Sequence, residues 1–219
     1  MKILTWNVER LKHSLENIRT TIESFNADIV VLTETSSKLQ LNNTYKSIAT
    51  KNLPENLDRI QYKNLENRTT IWTKYDFIKS YKTQDEFTSV CAEIDTEFGN
   101  LKVFGTIIGV LGGKGERFQS DLNKQILDFT SFTKTEFNCI IGDLNVMFSG
   151  YAYPSHHARN RLNATFDDLQ MKNLTATIAN NVDHIILSKS FLENKTIKVK
   201  LFNTDQKLSD HIGICIDIL

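Results

Sequence analysis

Residues 28–33, DIVVLT, are apolar at consecutive positions rather than at alternate ones. Successive side chains of a strand point to opposite faces, so an unbroken apolar run marks a strand covered on both sides. Residues 138–141 repeat the pattern. A strand with two buried faces needs one layer above it and another below. A chain of 219 residues, 40% of them hydrophobic, has enough apolar material for such a stack. Its 9 Gly, 2 Pro and 3 Cys exclude collagen-like, disulfide-stapled and strongly disordered alternatives.

The rest of the chain reads as strands with helices inserted at intervals. Residues 1–6 form a strand. Residues 11–25 carry Leu11, Leu15, Ile18, Ile22 and Phe25 at spacings of 4, 3, 4 and 3, one stripe of a helix. The polar stretch 40–67 holds a strand at 45–49. Four strand-like segments follow, at 69–73, 77–82, 88–94 and 101–108, and the turn residues between them predict consecutive antiparallel pairing. A Gly-rich turn at 112–115 leads into a helix over 116–132, striped by Phe118, Leu122, Ile126 and Phe129. A further amphipathic helix is expected over 159–170, and strands over 182–187, 196–201 and 211–218. No repeat, low-complexity tract or Pro/Gly/Ser linker divides the chain, so one domain over 1–219 is expected. The pattern predicts an α/β sandwich of two sheets packed face to face with helices outside.

Lys and Arg number 26, as do Asp and Glu, and the formal net charge is zero. A protein that grips nucleic acid by bulk charge is usually basic overall, so that mode is excluded while a local basic patch is not. Cys91, Cys139 and Cys215 are far apart among apolar neighbours and read as small buried hydrophobes. No CxxC or Cys/His spacing suggests a zinc site. The N-terminal MKILTWNVERL lacks a signal-peptide core, and no apolar run approaches a membrane span. The expectation is a cytoplasmic protein with no membrane association and no obligate protein partner.

Three strands end, and the last begins, in polar residues that a structural role does not require: Thr5-Trp6-Asn7-Val8-Glu9, Thr33-Glu34-Thr35 and Gly142-Asp143-Leu144-Asn145 at strand ends, and Ser209-Asp210-His211 at a strand start. Any one of these is accounted for by the preference of Asp and Asn for turns. Together they are an oxygen-rich set with an adjacent His, at the sheet edge where loops gather and ligands bind. Such a set suits a hard cation, Mg²⁺ or Mn²⁺.

The ordered set TWNVE (5–9), DIVVLTET (28–35), GDLN (142–145), VDHIILS (182–188) and SDH (209–211) resembles the endonuclease/exonuclease/phosphatase superfamily, the metal-dependent phosphodiesterases that include exonuclease III, DNase I and neutral sphingomyelinase. The resemblance spans residues 5–213 and implies a four-layered DNase I-like sandwich with its site at one end. It implies that Asn7, Glu34 and Asp210 surround the metal and that Glu9 matches an Asp found there in some DNA-repair members. Asp143 would position or deprotonate the attacking water, and Asn145 would donate to a phosphate oxygen. His211, oriented by Asp183, would contact the phosphate as base or as imidazolium. His184 falls on the opposite face of its strand and reads as packing.

The implied function is divalent-metal-dependent phosphodiester hydrolysis, with nucleic acid as the expected substrate. The alternatives are a phosphatase or phosphodiesterase acting on a small molecule or lipid headgroup, and a non-catalytic module binding phosphate or nucleic acid. Two departures from the family pattern bear on this. Ile107 stands where the central strand usually ends in His or Tyr. Either the site is weakened, or Lys114 and Arg117 in the following turn replace the lost charge. The segment 175–181 lacks the Trp of the repair members, which counts against abasic-site cleavage. The loop 148–161 interleaves Tyr151, Tyr153, His156, His157, Arg159 and Arg161, types that stack on bases and pair with phosphates.

Overall fold

The computed structural model describes residues 1–109, 115–131 and 136–219. In chain order the elements are β1 (Lys2–Asn7), α1 (Leu15–Ser24), β2 (Ile29–Ser36), β3 (Lys46–Ala49), β4 (Asn56–Leu57), β5 (Ile60–Gln61), β6 (Glu66–Thr73), β7 (Asp76–Tyr81), β8 (Ser89–Thr96), β9 (Gly99–Ile107), α2 (Gly115–Thr130), β10 (Phe137–Asp143), α3 (His156–Asp168), β11 (Met171–Asn173), β12 (Asp183–Ser188), β13 (Ile197–Phe202) and β14 (Gly213–Ile218). Two six-stranded sheets run β13-β14-β1-β2-β6-β3 and β11-β12-β10-β9-β8-β7, and β4 and β5 form a separate two-stranded ribbon. Each sheet is mixed: β1 runs parallel to β2, and β9 parallel to β10.

Strand β2 explains the layering. Ile29 and Val31 face the core between the sheets, alongside Ile3, Ile71, Val103, Ile141, Ile185 and Ile216. Val30 and Leu32 face the other way, onto Ile18 and Ile22 of α1 and onto Trp6 and Trp72. Strand β10 does the same in the second sheet, with Cys139 and Ile141 inward and Ile140 outward against Phe118, Phe129 and Leu162 of α2 and α3. Each fully buried Val, Ile or Leu contributes about 1.5–3 kcal/mol relative to exposure, so these faces outweigh local propensity. All three cysteines are buried and free. Among the described residues no helix is long and apolar enough to cross a membrane.

Two expectations are corrected. The segment ending in β6 does not pair with β7. It lies between β2 and β3 in the first sheet, with Val31 opposite Ile71, and only β7, β8 and β9 form the consecutive antiparallel run in the second. The chain changes sheets at Lys74 and Tyr75, where the Lys74 N–H donates to the Asp28 carbonyl (3.0 Å) and the Tyr75 N–H to the Thr73 hydroxyl (3.1 Å). The first helix begins at Leu15 rather than at Leu11. Glu9, Arg10 and Leu11 hold φ of 48°, 56° and 51°, outside the right-handed helical region, and Ser14 caps the true start by accepting from the Asn17 N–H (3.3 Å).

Gly142 has φ +132°, and a Cβ there would lie 2.1 Å from the Thr106 carbonyl oxygen on the neighbouring strand. Neither backbone can yield inside the sheet. Gly142→Ala is expected to destabilise the chain by about 3 kcal/mol or more, read as a lower urea midpoint.

Candidate active site

The sandwich brings the ends of β1, β2, β10 and β12 and the segment before β14 to one edge. Parallel pairing sets Asn7 opposite Thr33, one residue before Glu34, and antiparallel pairing sets Asp143 opposite Asp183. Asn7 Nδ2 donates to Asp143 Oδ2 (3.0 Å), a bond that crosses from one sheet to the other. Its Oδ1 accepts from the Glu9 N–H (2.9 Å), which pins the left-handed turn that follows β1.

Asp143 is 2% exposed. Its Oδ1 accepts from the Asn145 N–H (2.9 Å). Burial, then repulsion from Asp183, pushes its carboxyl up to about 7. Asn145, at φ +51°, donates one amide hydrogen to the Ile108 carbonyl (2.9 Å) and has a second to give. Glu34 also sits at positive φ, 48°, an uncommon conformation for a side chain of this size and one that concentrates at functional sites. Burial holds its carboxyl above the ordinary range, against the opposing pull of the Asn7 amide.

Asp183 Oδ2 lies 2.6 Å from His211 Nδ1. Burial alone would lower the imidazole, but the Asp183 carboxylate reverses that and raises His211 to about 10. The other Asp183 oxygen is buried without a hydrogen-bond partner among the described residues. The His211 loop is tied to β1. Trp6 Nε1 donates to the His211 carbonyl (3.0 Å), Ser209 Oγ donates to the Asn7 carbonyl (2.6 Å), and the His211 N–H donates to Ser209 Oγ (3.1 Å). Asp210 projects into solvent beside this loop; its N–H donates to Glu9 Oε2 (3.2 Å) and its carboxylate lies 3.9 Å from His211 Nε2. Glu9 pairs with Lys12 at 2.6 Å. Burial opposes ionisation of Glu9, yet the Lys12 bond keeps its carboxyl below the ordinary range.

Among the described residues no three His, Cys, Asp or Glu side chains converge into a protein-only metal cage. The donors at this edge are carboxylate and amide oxygens. They fit a hard cation of the Mg²⁺ type, which takes one or two carboxylates and keeps several waters.

The basic residues singled out in the sequence have other partners. Lys114 lies outside the described residues. Arg117 pairs with Asp58 (2.8 Å), Asp121 (3.0 Å) and Asp85 (3.4 Å). Arg159 binds the backbone carbonyls of Met147 (2.6 Å), Tyr151 (2.7 Å), Gly150 (3.2 Å) and Ser149 (3.4 Å), organising the loop after Asn145 and leaving Tyr151 81% exposed. Arg161 donates to Asn123 Oδ1 of α2 (2.6 Å). Sequence reasoning did not single out Arg10, Tyr62 and Arg68, which line a cavity that also contains Glu34 and Ile107. Arg68, a charged residue inside β6, offered no periodic signal, and Arg10 and Tyr62 lie in connecting segments where no pattern ties them to the site.

His184 is the packing residue expected. Its Nε2 lies 2.9 Å from the Val146 carbonyl, which can only accept, so this nitrogen carries the proton and Nδ1 faces the Thr175 hydroxyl at 2.9 Å. Burial lowers it to about 4. A histidine that binds its proton less tightly when folded contributes stability above the unfolded value, near 6.5, and that stability is lost as pH falls toward 4. Relative to His184→Gln, the wild type is expected to lose on the order of 3 kcal/mol of stability across this window, read by urea unfolding of both proteins, since raised carboxyls such as Asp143 contribute the opposite sign to each.

Comparison with curated proteins finds no match. Solved structures share the fold at low identity. An AP endonuclease from Archaeoglobus fulgidus matches with a TM-score of 0.74 at 14% identity, over 99% of this chain and 98% of that one. A 3′-5′ exonuclease (NExo) from Neisseria meningitidis matches at 0.72 and 13%, over 99% of both chains. An endonuclease/exonuclease/phosphatase from Beutenbergia cavernae matches at 0.74 and 13%, over 100% of this chain and 71% of that one. The sequence model of one family matches residues 4–211, a span that takes in Asn7, Glu34, Asp143, Asp183 and His211. The chain therefore belongs to the Endonuclease/Exonuclease/phosphatase family.

Proposed function

We propose that this chain is a divalent-metal-dependent phosphodiester hydrolase acting on nucleic acid. The observation that carries the reading is the 2.6 Å Asp183–His211 pair, placed by strand register beside a buried Asp143 that is itself held by Asn7 and Asn145. A packing role alone does not call for two buried carboxylates side by side, since each raises the cost of ionising the other. The AP endonuclease and the 3′-5′ exonuclease among the structural neighbours support nucleic acid as the substrate.

Glu34, Asn7 and Asp210 would hold Mg²⁺ or Mn²⁺, with Glu9 positioning Asp210 through its backbone N–H. When bound, the cation would offset the negative charge that builds on the phosphoryl oxygens. Asp143, raised to about 7, suits a base that orients the attacking water and takes its proton near neutral pH. The free hydrogen of the Asn145 amide is a neutral donor for a phosphoryl oxygen, where a carboxylate would repel it. His211 is kept protonated by Asp183, so Nδ1–H donates to the carboxylate and Nε2–H remains for the phosphate. That favours the imidazolium role over the base role.

The test is hydrolysis of bis-p-nitrophenyl phosphate, plasmid DNA, single-stranded DNA and RNA with Mg²⁺, Mn²⁺ or Ca²⁺, with EDTA as control. Metal-dependent cleavage of a polymer supports the proposal. Cleavage of the small ester alone moves the assignment to a small-molecule enzyme, and no hydrolysis of any substrate moves it to a binding module.

A further inference from the structure

Beside Glu34 lies a cavity of about 210 Å³ lined by Arg10, Thr35, Tyr62, Asn67, Arg68 and Ile107, among others. It adjoins the catalytic edge, because Ile107 is the strand partner of Asp143. Three of its lining residues carry buried polar atoms without a hydrogen-bond partner among the described residues: Thr35 Oγ1, Asn67 Oδ1, and Nε and Nη1 of Arg68. Arg68 is 3% exposed, and its Nη2 donates to Asp58 (2.8 Å) and to the Tyr62 hydroxyl (3.2 Å). Asn67 Nδ2 is committed to the Thr69 carbonyl (3.1 Å) and the Thr70 hydroxyl (2.7 Å), so the amide cannot flip to relieve its oxygen.

Buried polar groups are rarely left unpaired, and each orphan costs roughly 1–3 kcal/mol. Thr35 and Asn67 are strand partners and Arg68 is the next residue of β6, so the orphans gather around the end of β6 that borders the cavity, and a ligand there is the natural source of partners. The set is mixed: Arg68 can only donate, Asn67 Oδ1 can only accept, and Thr35 can do either. A phosphate, which offers acceptors alone, would leave Asn67 Oδ1 unpaired. The lining charges balance, with Arg10 and Arg68 against Glu34 and Glu66, so the complement is a neutral group. The remaining walls, Leu53, Ile60, Tyr62 and Ile107, are apolar or aromatic. At about 210 Å³ the space is below the ~300 Å³ at which pockets begin to hold a whole drug-sized ligand, and takes one fragment of a larger substrate. A neutral planar edge with both donors and acceptors, held between apolar walls, describes a nucleobase drawn out of its stack.

We propose that this cavity receives the base of the nucleotide joined to the scissile phosphate, and that Arg68 and Asn67 read its hydrogen-bonding edge. The loss of a polar side chain at Ile107 then has a use, since an apolar wall there bounds the base site. The proposal rests on the nuclease reading, and it predicts cleavage confined to single-stranded, frayed or terminal nucleotides, whose bases are free to enter.

The test is an NMR titration of the full chain, without metal so that nothing turns over, with each of the four deoxynucleoside 5′-monophosphates and with deoxyribose 5-phosphate. At least one nucleotide is expected to bind about tenfold or more tighter than the sugar phosphate, the increment of one stacked, hydrogen-bonded base. Arg68→Met is expected to remove that preference. Because Arg68 is buried, Ile60→Trp, at a half-buried lining position, serves as a second variant that fills the cavity and is expected to remove it too. Equal binding of nucleotides and sugar phosphate, or a preference retained in folded Ile60→Trp, overturns the proposal. Base preference without hydrolysis of any diester sinks the nuclease reading and leaves the base site standing. Metal-dependent hydrolysis without base preference does the reverse.

Discussion

Asp143→Asn is expected to lower the rate of metal-dependent phosphodiester hydrolysis by about three orders of magnitude or more, with little change in thermal midpoint. Asparagine has the shape of the native side chain but no basicity, so the proton-accepting role is removed while the volume is kept. Two structural effects oppose one another. An amide at this position cannot accept from both Asn7 Nδ2 and the Asn145 N–H, and one of those bonds is lost. That costs about 1 kcal/mol. Against it, a buried carboxylate facing Asp183 is neutralised, which relieves the repulsion that raises its proton affinity to about 7. The measurement is kcat/KM on a single-stranded oligonucleotide alongside calorimetric melting at about pH 8. Retained hydrolysis would contradict the assignment of Asp143, and a collapsed melting temperature would show that it holds the sheets together instead.

Asp183→Asn is expected to reduce hydrolysis by about 10²–10⁴-fold, because His211 loses the carboxylate that fixes its tautomer and keeps it charged. The same substitution has a stability signature that a catalytic readout lacks. His211 binds its proton more tightly in the folded chain, with its value raised to about 10. The stability it contributes is therefore fully present below about pH 6.5 and is lost as pH rises through 10. Between these limits the loss is at most about 5 kcal/mol. Asp143 contributes in the same direction only up to about pH 7, and the buried thiols begin to contribute near pH 9. Urea unfolding of both proteins, taken between about pH 7.5 and 9 without metal, isolates the pair as a difference. The wild type is expected to lose stability across that window faster than Asp183→Asn. Parallel slopes would mean that His211 is not held as an imidazolium.

The parts of this architecture legible in the sequence are those in which neighbouring residues settle the outcome. An unbroken apolar run such as Ile29 to Leu32 states its own burial on both faces, and the polar residues ending β1, β2 and β10 meet at the edge that carries the candidate site. Sheet membership was not legible for β6. The link at Lys74 and Tyr75 looks like a hairpin, and only the distant fit of Ile71 against Val31 sends the strand to the other sheet. The start of α1 misled for a related reason. Leu11 continues the helical stripe, but the chain from Val8 to Leu11 is held by the Val8 N–H donating to the Thr33 carbonyl (3.0 Å) and by the turn that follows. Arg117 and Arg159 carried the right charge for phosphate, but Asp58, Asp85 and the loop carbonyls that engage them could not be read from their neighbours. Arg68 stayed hidden for the opposite reason: a guanidinium in a fully buried strand breaks the rule by which strands are recognised.

The ties between β1 and the segment before β14 join residues about two hundred positions apart, Trp6 to His211 and Ser209 to Asn7. Synthesis runs from the N-terminus, so Asn7 and Glu34 are folded against an edge that lacks its histidine until residue 211 has emerged. A chain interrupted before Ser209 therefore lacks both the ties to β1 and the imidazole that pairs with Asp183, so the two ends of the sequence complete this edge jointly.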